Sequence, residues 1–181
     1  MTNTISTRRF GLHAALFGLA ATGIYFLMIF MTLAHIEVVS GVLPFDMRPG
    51  GYSLAQAQEL LNGLGAAGRR FYLTRQIPLD LAYPALMALT LVSLLKWLGS
   101  RGANYRLAKL GIWLSFAAAI ADYSENAGIC MMILSWPDLS ESLVLAASAA
   151  SIVKAGLTTA AFSIVLLCFG FSAFKKMRRR P

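Results

Sequence analysis

Four long apolar runs follow one another along the chain, separated by polar or turn-forming residues. The runs cover about residues 10–39, 71–98, 107–134 and 140–174. Each is longer than the roughly 20 residues that a helix needs to cross a bilayer. The pattern therefore predicts an all-α membrane protein, in which residues 1–181 form one domain built on a bundle of four transmembrane helices.

The longest interruption, residues 40–70, has a pattern of its own. It opens with turn-forming letters, LPFDMRPGGY, and continues as SLAQAQELLNGLG. Ser53 and Gln56 have the spacing of a capping box, which marks the start of a helix. The apolar residues that follow recur at helical spacing, at Leu54, Ala57, Leu60, Leu61 and Leu64. We expect a short amphipathic helix on the membrane surface or over the end of the bundle.

Residues 63–68, GLGAAG, match the glycine pattern of dinucleotide-binding proteins letter for letter. That motif needs a preceding strand, a tight turn and the N-terminus of a following helix. Here the glycines follow a predicted helix and no strand precedes them. The segment is therefore interpreted as a flexible turn between the amphipathic helix and the second apolar run.

Composition and charge agree with a membrane protein and indicate its orientation. The chain is 57% hydrophobic and 13% charged, too apolar for an ordinary soluble domain. Its net charge of +8 comes from short basic blocks at the ends of the apolar runs, which excludes a nucleic-acid surface. Most of these bases lie near the N-terminus, in the loop around residue 102 and in the tail 175–181. The positive-inside rule then predicts cytoplasmic termini and an extracytoplasmic segment 40–70, in a bacterial inner membrane.

The third apolar run contains three polar residues where hydrocarbon is expected. Asp122, Glu125 and Asn126 are spaced i, i+3 and i+4, so they share one face of a helix. An ionised side chain at the centre of a bilayer costs about 2.5–3.5 kcal/mol on insertion scales. Such a group needs a functional or structural reason, and this face is the strongest candidate for a site.

The second and fourth runs carry polar residues as well. Tyr72, Gln76, Asp80 and Tyr83 fall on one helical face, and Pro84 leaves the Asp80 carbonyl without its helical N–H donor. In the fourth run, Lys154 borders a stripe of small residues of the kind that lets membrane helices approach closely. The stripe consists of Ala147, Ser151, Ala155 and Thr159.

Short turns near Gly102 and Pro137 bring these polar residues to one depth. Asp80 and Ser124 are equally far from Gly102 along the chain, and Lys154 falls within a helical turn of Asp122. Acids outnumber bases in this layer. We therefore expect a protonated carboxyl, a bound cation, an arginine such as Arg75 reaching in, or an open aqueous cavity.

These observations predict a site that binds, or moves with protons, a small amphipathic or cationic molecule. Asp122 and Glu125 would be the principal ligands or proton carriers, with Lys154 as their counter-charge. The full set of predicted ligand- or proton-binding residues is Asp122, Glu125, Asn126, Asp80, Gln76, Tyr83 and Lys154.

Two other functions remain open at this point. One is a membrane enzyme that uses carboxylates as acid and base on a lipid-like substrate. The other is an accessory subunit, in a homodimer or a larger membrane complex, whose polar layer is only structural. No cofactor or nucleic-acid partner is predicted. No metal site is predicted either, because His13 and His35 lie too far apart on one helix to share an ion.

Overall fold

The computed structural model describes the backbone of residues 2–177 and the side chains of residues 8–175. All regular secondary structure in this part of the chain is helical. The helices are α1 (Thr2–Leu27), a π-helical turn (Met28–Leu33), α2 (Ala34–Ser40), a 3₁₀ turn (Phe45–Met47), α3 (Leu54–Phe71), a second π-helical turn (Tyr72–Gln76), α4 (Ile77–Ser100), α5 (Tyr105–Leu134) and α6 (Glu141–Met177). Residues 178–181 of the predicted cytoplasmic tail lie outside the described residues.

Three helical stretches are long and apolar enough to cross a membrane, which is consistent with an integral membrane protein. They are Arg8–Ser40, Leu54–Ser100 and Glu141–Lys175. The helix α5 is not among them, although it is 30 residues long. Its second half carries the Asp122, Glu125 and Asn126 face, which lowers its average hydropathy.

The long helices pack against one another in chain order. α1 lies along α4, α4 along α5 and α5 along α6, and α4 also touches α6. Within the described part of the chain, α1 and α6 do not pack along each other. One apolar core, around Phe45, Leu60 and Met132, fills one end of the molecule. A second core, around Leu95 and Cys168, fills the other end, and the polar layer lies between them.

The amphipathic helix predicted after Ser53 is present as the start of α3, and its capping box is confirmed. The Gln56 N–H donates to Ser53 Oγ at 3.3 Å, and the Ser53 N–H donates to Gln56 Oε1 at 2.9 Å. The buried face of α3 begins with Ala57, Leu60 and Leu61. This face packs into the first core, so burial of its apolar residues holds α3 in place.

Within residues 63–68, where a flexible turn is predicted, the chain bends at Gly65 between two helical stretches of α3. Only Gly65 leaves the helical region, with φ 57° and ψ −175°, a conformation open essentially to glycine. Gly63 allows a close approach, since a Cβ there would lie 2.5 Å from the Ser40 carbonyl oxygen. A single residue thus changes the direction of the chain, while packing keeps its neighbours helical.

Candidate functional site

Lys154 joins α5 and α6 through two acids. Its Nζ lies 3.6 Å from Asp122 Oδ1 and forms a closer ion pair with Glu125 Oε2. Ser151 Oγ, one turn before Lys154 on α6, donates to the other oxygen of Glu125. Glu125 is only 1% exposed. The predicted proximity of Lys154 to Asp122 and Glu125 is therefore present, and it links two helices.

A second polar contact joins α4 to α5. Asn126 Nδ2 donates to the Asp80 carbonyl oxygen at 3.1 Å. This is the carbonyl that Pro84 deprives of its usual helical donor. The Asn126 amide replaces the missing N–H, which fixes the depth of Asp80 relative to the acidic face of α5.

A fourth acid, Asp46, also belongs to the site, and the sequence analysis did not find it. It lies in the 3₁₀ turn Phe45–Met47, beside the fully buried side chain of Phe45. Its carboxyl accepts hydrogen bonds from the Tyr72 hydroxyl and, at 3.1 Å, from Gln76 Nε2. Thr32 Oγ1 donates in turn to Gln76 Oε1. An acid between Phe45 and Met47 resembles any loop acid, so no spacing in the sequence marks it.

Asp80 and Asp46 line the same cavity, so the two acids lie near each other. Asp80 is 4% exposed, and its Oδ2 atom has no hydrogen-bond donor among the described residues. Burying an ionised carboxylate without a partner is strongly unfavourable. The Asp80 carboxyl therefore needs a proton or a cation nearby.

Arg75 does not supply that cation. Its side chain is exposed and lines a separate groove with His35 and Phe71. Within the described residues, the ion pairs of this layer are those of Lys154. Four acidic residues thus face one ammonium group.

A cavity of about 420 Å³ lies against this acidic layer. Five of the predicted site residues line it, and two, Glu125 and Asn126, lie behind its wall. The lining polar residues that the sequence predicted are Gln76, Asp80, Tyr83, Asp122 and Lys154. Asp46 lines the cavity as well. The volume is within the range of small-molecule sites.

The small-residue stripe of α6 has two parts with different surroundings. Ala147 and Ser151 are buried against α5, where a Cβ added at Gly128 would lie 2.6 Å from the Cβ of Ala147. Ala155 and Thr159 instead line the cavity. Close helix packing is thus confined to one half of the stripe, and the other half leaves space.

Tyr52 precedes α3 in the segment 40–70 and contacts α6 near the polar layer. Its N–H donates to Ser148 Oγ at 2.7 Å, and its ring lies against that of Phe45 at a tilt of 45°, with centroids 4.7 Å apart. Burial, together with the nearby Glu125 carboxylate, raises the pKa of the Tyr52 phenol. The phenol therefore stays neutral and does not add another negative charge to the layer.

Among the described residues, no group of three or more His, Cys, Asp or Glu side chains is placed to hold a metal. Comparison with protein-family models, with curated proteins and with solved structures finds no match for this chain.

Proposed function

We propose that this protein is an integral membrane protein that binds a small, cationic, amphipathic molecule in the acidic cavity, with release of a proton. The proposal is carried by the buried Asp80 carboxyl, which lines the cavity together with Asp46 and whose Oδ2 atom has no hydrogen-bond donor among the described residues. A protonated amine offers both the positive charge and the N–H donors that these oxygens lack.

The proposed membrane arrangement has four spans, with both termini in the cytoplasm of a bacterium and residues 40–70 outside. Basic residues near the turn between α4 and α5 support this orientation. Two observations support α5 as the fourth span. It is long enough, and its acidic face is buried against α4 and α6, so lipid does not meet it.

The residues would have different roles within the site. Asp80 and Asp46 would hold the ammonium group, and Asp122 would contribute from the opposite wall. Glu125 lies behind the wall and is already held by Lys154 and Ser151. We therefore assign Glu125 to positioning Lys154. This differs from the sequence-based expectation that Glu125 is a principal ligand.

Proton release follows from the burial of the Asp80 carboxyl. A buried carboxylate without a donor or a counter-charge is unfavourable, so a proton or a cation must balance it. In the empty cavity a proton on Asp80 would have this role. An arriving ammonium group supplies the counter-charge, and the proton leaves to water, so binding and protonation exclude each other.

Acid and base catalysis is the second candidate, and the same pair favours it. A protonated carboxyl beside an ionised one is the arrangement that general acid and base chemistry requires. A membrane enzyme acting on a lipid-like substrate would use Asp80 and Asp46 in these two roles.

The proposal is tested with dodecylamine as the probe and the full chain in detergent micelles. We expect saturable binding by isothermal titration calorimetry, and at least a tenfold loss of affinity in Asp80→Asn. Asp138→Asn, a change in an exposed loop acid, is the matched control and should bind like the native chain. Dodecanol, which has no charge, should not compete.

Proton release gives this test a second readout. If one proton leaves for each amine bound, the affinity rises with pH by up to about tenfold per unit, until the empty cavity no longer holds that proton. The calorimetric heat should then differ between buffers of different ionisation enthalpy. Equal affinity of the native chain and Asp80→Asn would contradict the proposal and leave a layer with only a structural role.

A further inference from the structure

We infer that the cavity opens sideways into the bilayer between α1 and α6, and that its ligand is an alkylamine-like amphiphile that enters from the membrane with its amine leading. The inference rests on the proposed function and adds to it the route of entry and the class of ligand.

The first observation is the gap in the helix packing. α1 lies along α4, and α6 lies along α5, but α1 and α6 do not pack along each other in the described residues. The cavity lies in this interval. One wall consists of Tyr25, Met28 and Ile29, and the other consists of Ala155, Thr158 and Thr159.

The second observation is the change of polarity from the inside of the cavity to its mouth. Asp80 is almost fully buried, whereas Tyr25 at the mouth is 44% exposed and Thr159 is exposed as well. The surface of α1 and the π-helical turn near it is apolar and includes the exposed, stacked rings of Phe26 and Phe30. A ligand that fits this gradient has a charged head and an apolar chain.

The third observation is that the segment 40–70 covers one end of the cavity. Leu33, Asp46 and Met47 line the cavity on that side. Tyr72 and Gln76 bind Asp46 there, and the buried Phe45 anchors the turn that carries it. A route from outside would have to break this network, whereas α1 and α6 do not pack along each other in the described residues.

The α6 side of the cavity mouth is lined by small side chains, which leave space for a ligand. Ala155 and Thr158 line the cavity on successive turns of α6, while Val153 on the same helix is 52% exposed and does not line it. A phenylalanine at position 158 would fill the gap, and a phenylalanine at position 153 would add the same bulk on a surface away from it.

The test uses dodecylamine that carries a diazirine at the far end of its chain, with the full chain in lipid nanodiscs. After irradiation, the adducts are mapped by mass spectrometry, with and without excess dodecylamine. We expect competed adducts on residues 25–30 and 155–159. Thr158→Phe and Ala155→Leu should lower their yield at least fivefold, and Val153→Phe should leave it unchanged.

The other outcomes separate the two proposals. Competed adducts on residues 44–53 would show entry from the outer end, which overturns the lateral route and keeps the proposed function. Equal yields in Thr158→Phe, Ala155→Leu and Val153→Phe, with each variant folded by thermal melting, would overturn the lateral route as well. An absence of competed adducts in the native chain would overturn both.

Discussion

At the scale of single residues, Lys154 has the largest expected effect on stability. Its ammonium group compensates two buried acids, Asp122 and Glu125, from a position that is itself only 19% exposed. Removing one partner of a buried ion pair leaves an uncompensated charge and typically costs about 3–5 kcal/mol. We expect Lys154→Met to lower the free energy of unfolding in micelles by an amount of that order.

The loss should depend on pH with a definite sign. In Lys154→Met the acids are unpaired when ionised, so the unfolded state ionises more readily than the folded state. The free energy of unfolding of this variant should therefore fall as the pH rises, and adding Glu125→Gln should restore part of it. Lys109→Met, at an exposed lysine, is the control. A flat pH profile in Lys154→Met would contradict this account.

Individual residues also show how far sequence reasoning reaches. The helical spacing of Asp122, Glu125 and Asn126 predicted one shared face, and the free Asp80 carbonyl followed from Pro84. Both follow from local geometry along one helix. Asp46 was missed because its place in the layer depends on where Phe45 packs, and that is decided by residues far away in the chain.

At the scale of elements, the contact between α5 and α6 depends on Gly128. A Cβ there would lie 2.6 Å from the Cβ of Ala147, closer than real atoms approach. Gly128→Ala should push the two helices apart and strain the Lys154 pairs, at a cost of about 1–3 kcal/mol. The measurement is the midpoint of unfolding in a denaturant titration.

Gly156→Ala provides the matched control for that substitution. Gly156 lies on α6 with nothing near its added Cβ, so alanine there should be neutral or stabilise the helix by up to about 1 kcal/mol. A Gly128→Ala variant as stable as Gly156→Ala would show that the helices adjust without strain.

The elements themselves were predicted unevenly. Apolar length and the capping box indicated the long helices and the start of α3, because both signals are local. The turn predicted over residues 63–68 is confined to a bend at Gly65, and the residues on either side of it are helical. Glycine has weak helix propensity, but burial of Leu64 and the approach to Ser40 outweigh it there.

At the scale of the whole molecule, the orientation of the helices across the membrane is a prediction that cysteine labelling tests. Single cysteines are placed at Ser100→Cys and Asp138→Cys, both exposed, in a chain carrying Cys130→Ala and Cys168→Ala. In intact cells, a membrane-impermeant maleimide should label position 138, and position 100 only after permeabilisation. Labelling of both positions in intact cells would mean that α5 does not cross the membrane.

The amino-acid sequence by itself determined the helical, membrane-like character of this protein and the approximate level of Asp80, Asp122 and Lys154 along neighbouring helices. Those properties depend on composition, on the helical spacing of polar residues and on the number of residues from a turn. Each of these is a local property of the sequence. Only the tertiary structure decided which acids face a cavity, that Asp46 joins them, and that α1 and α6 stay apart. The face that each helix turns to the cavity, the position of the segment 40–70 and the pairing of the helices all depend on packing between distant segments. In such packing, small differences in side-chain fit select one arrangement.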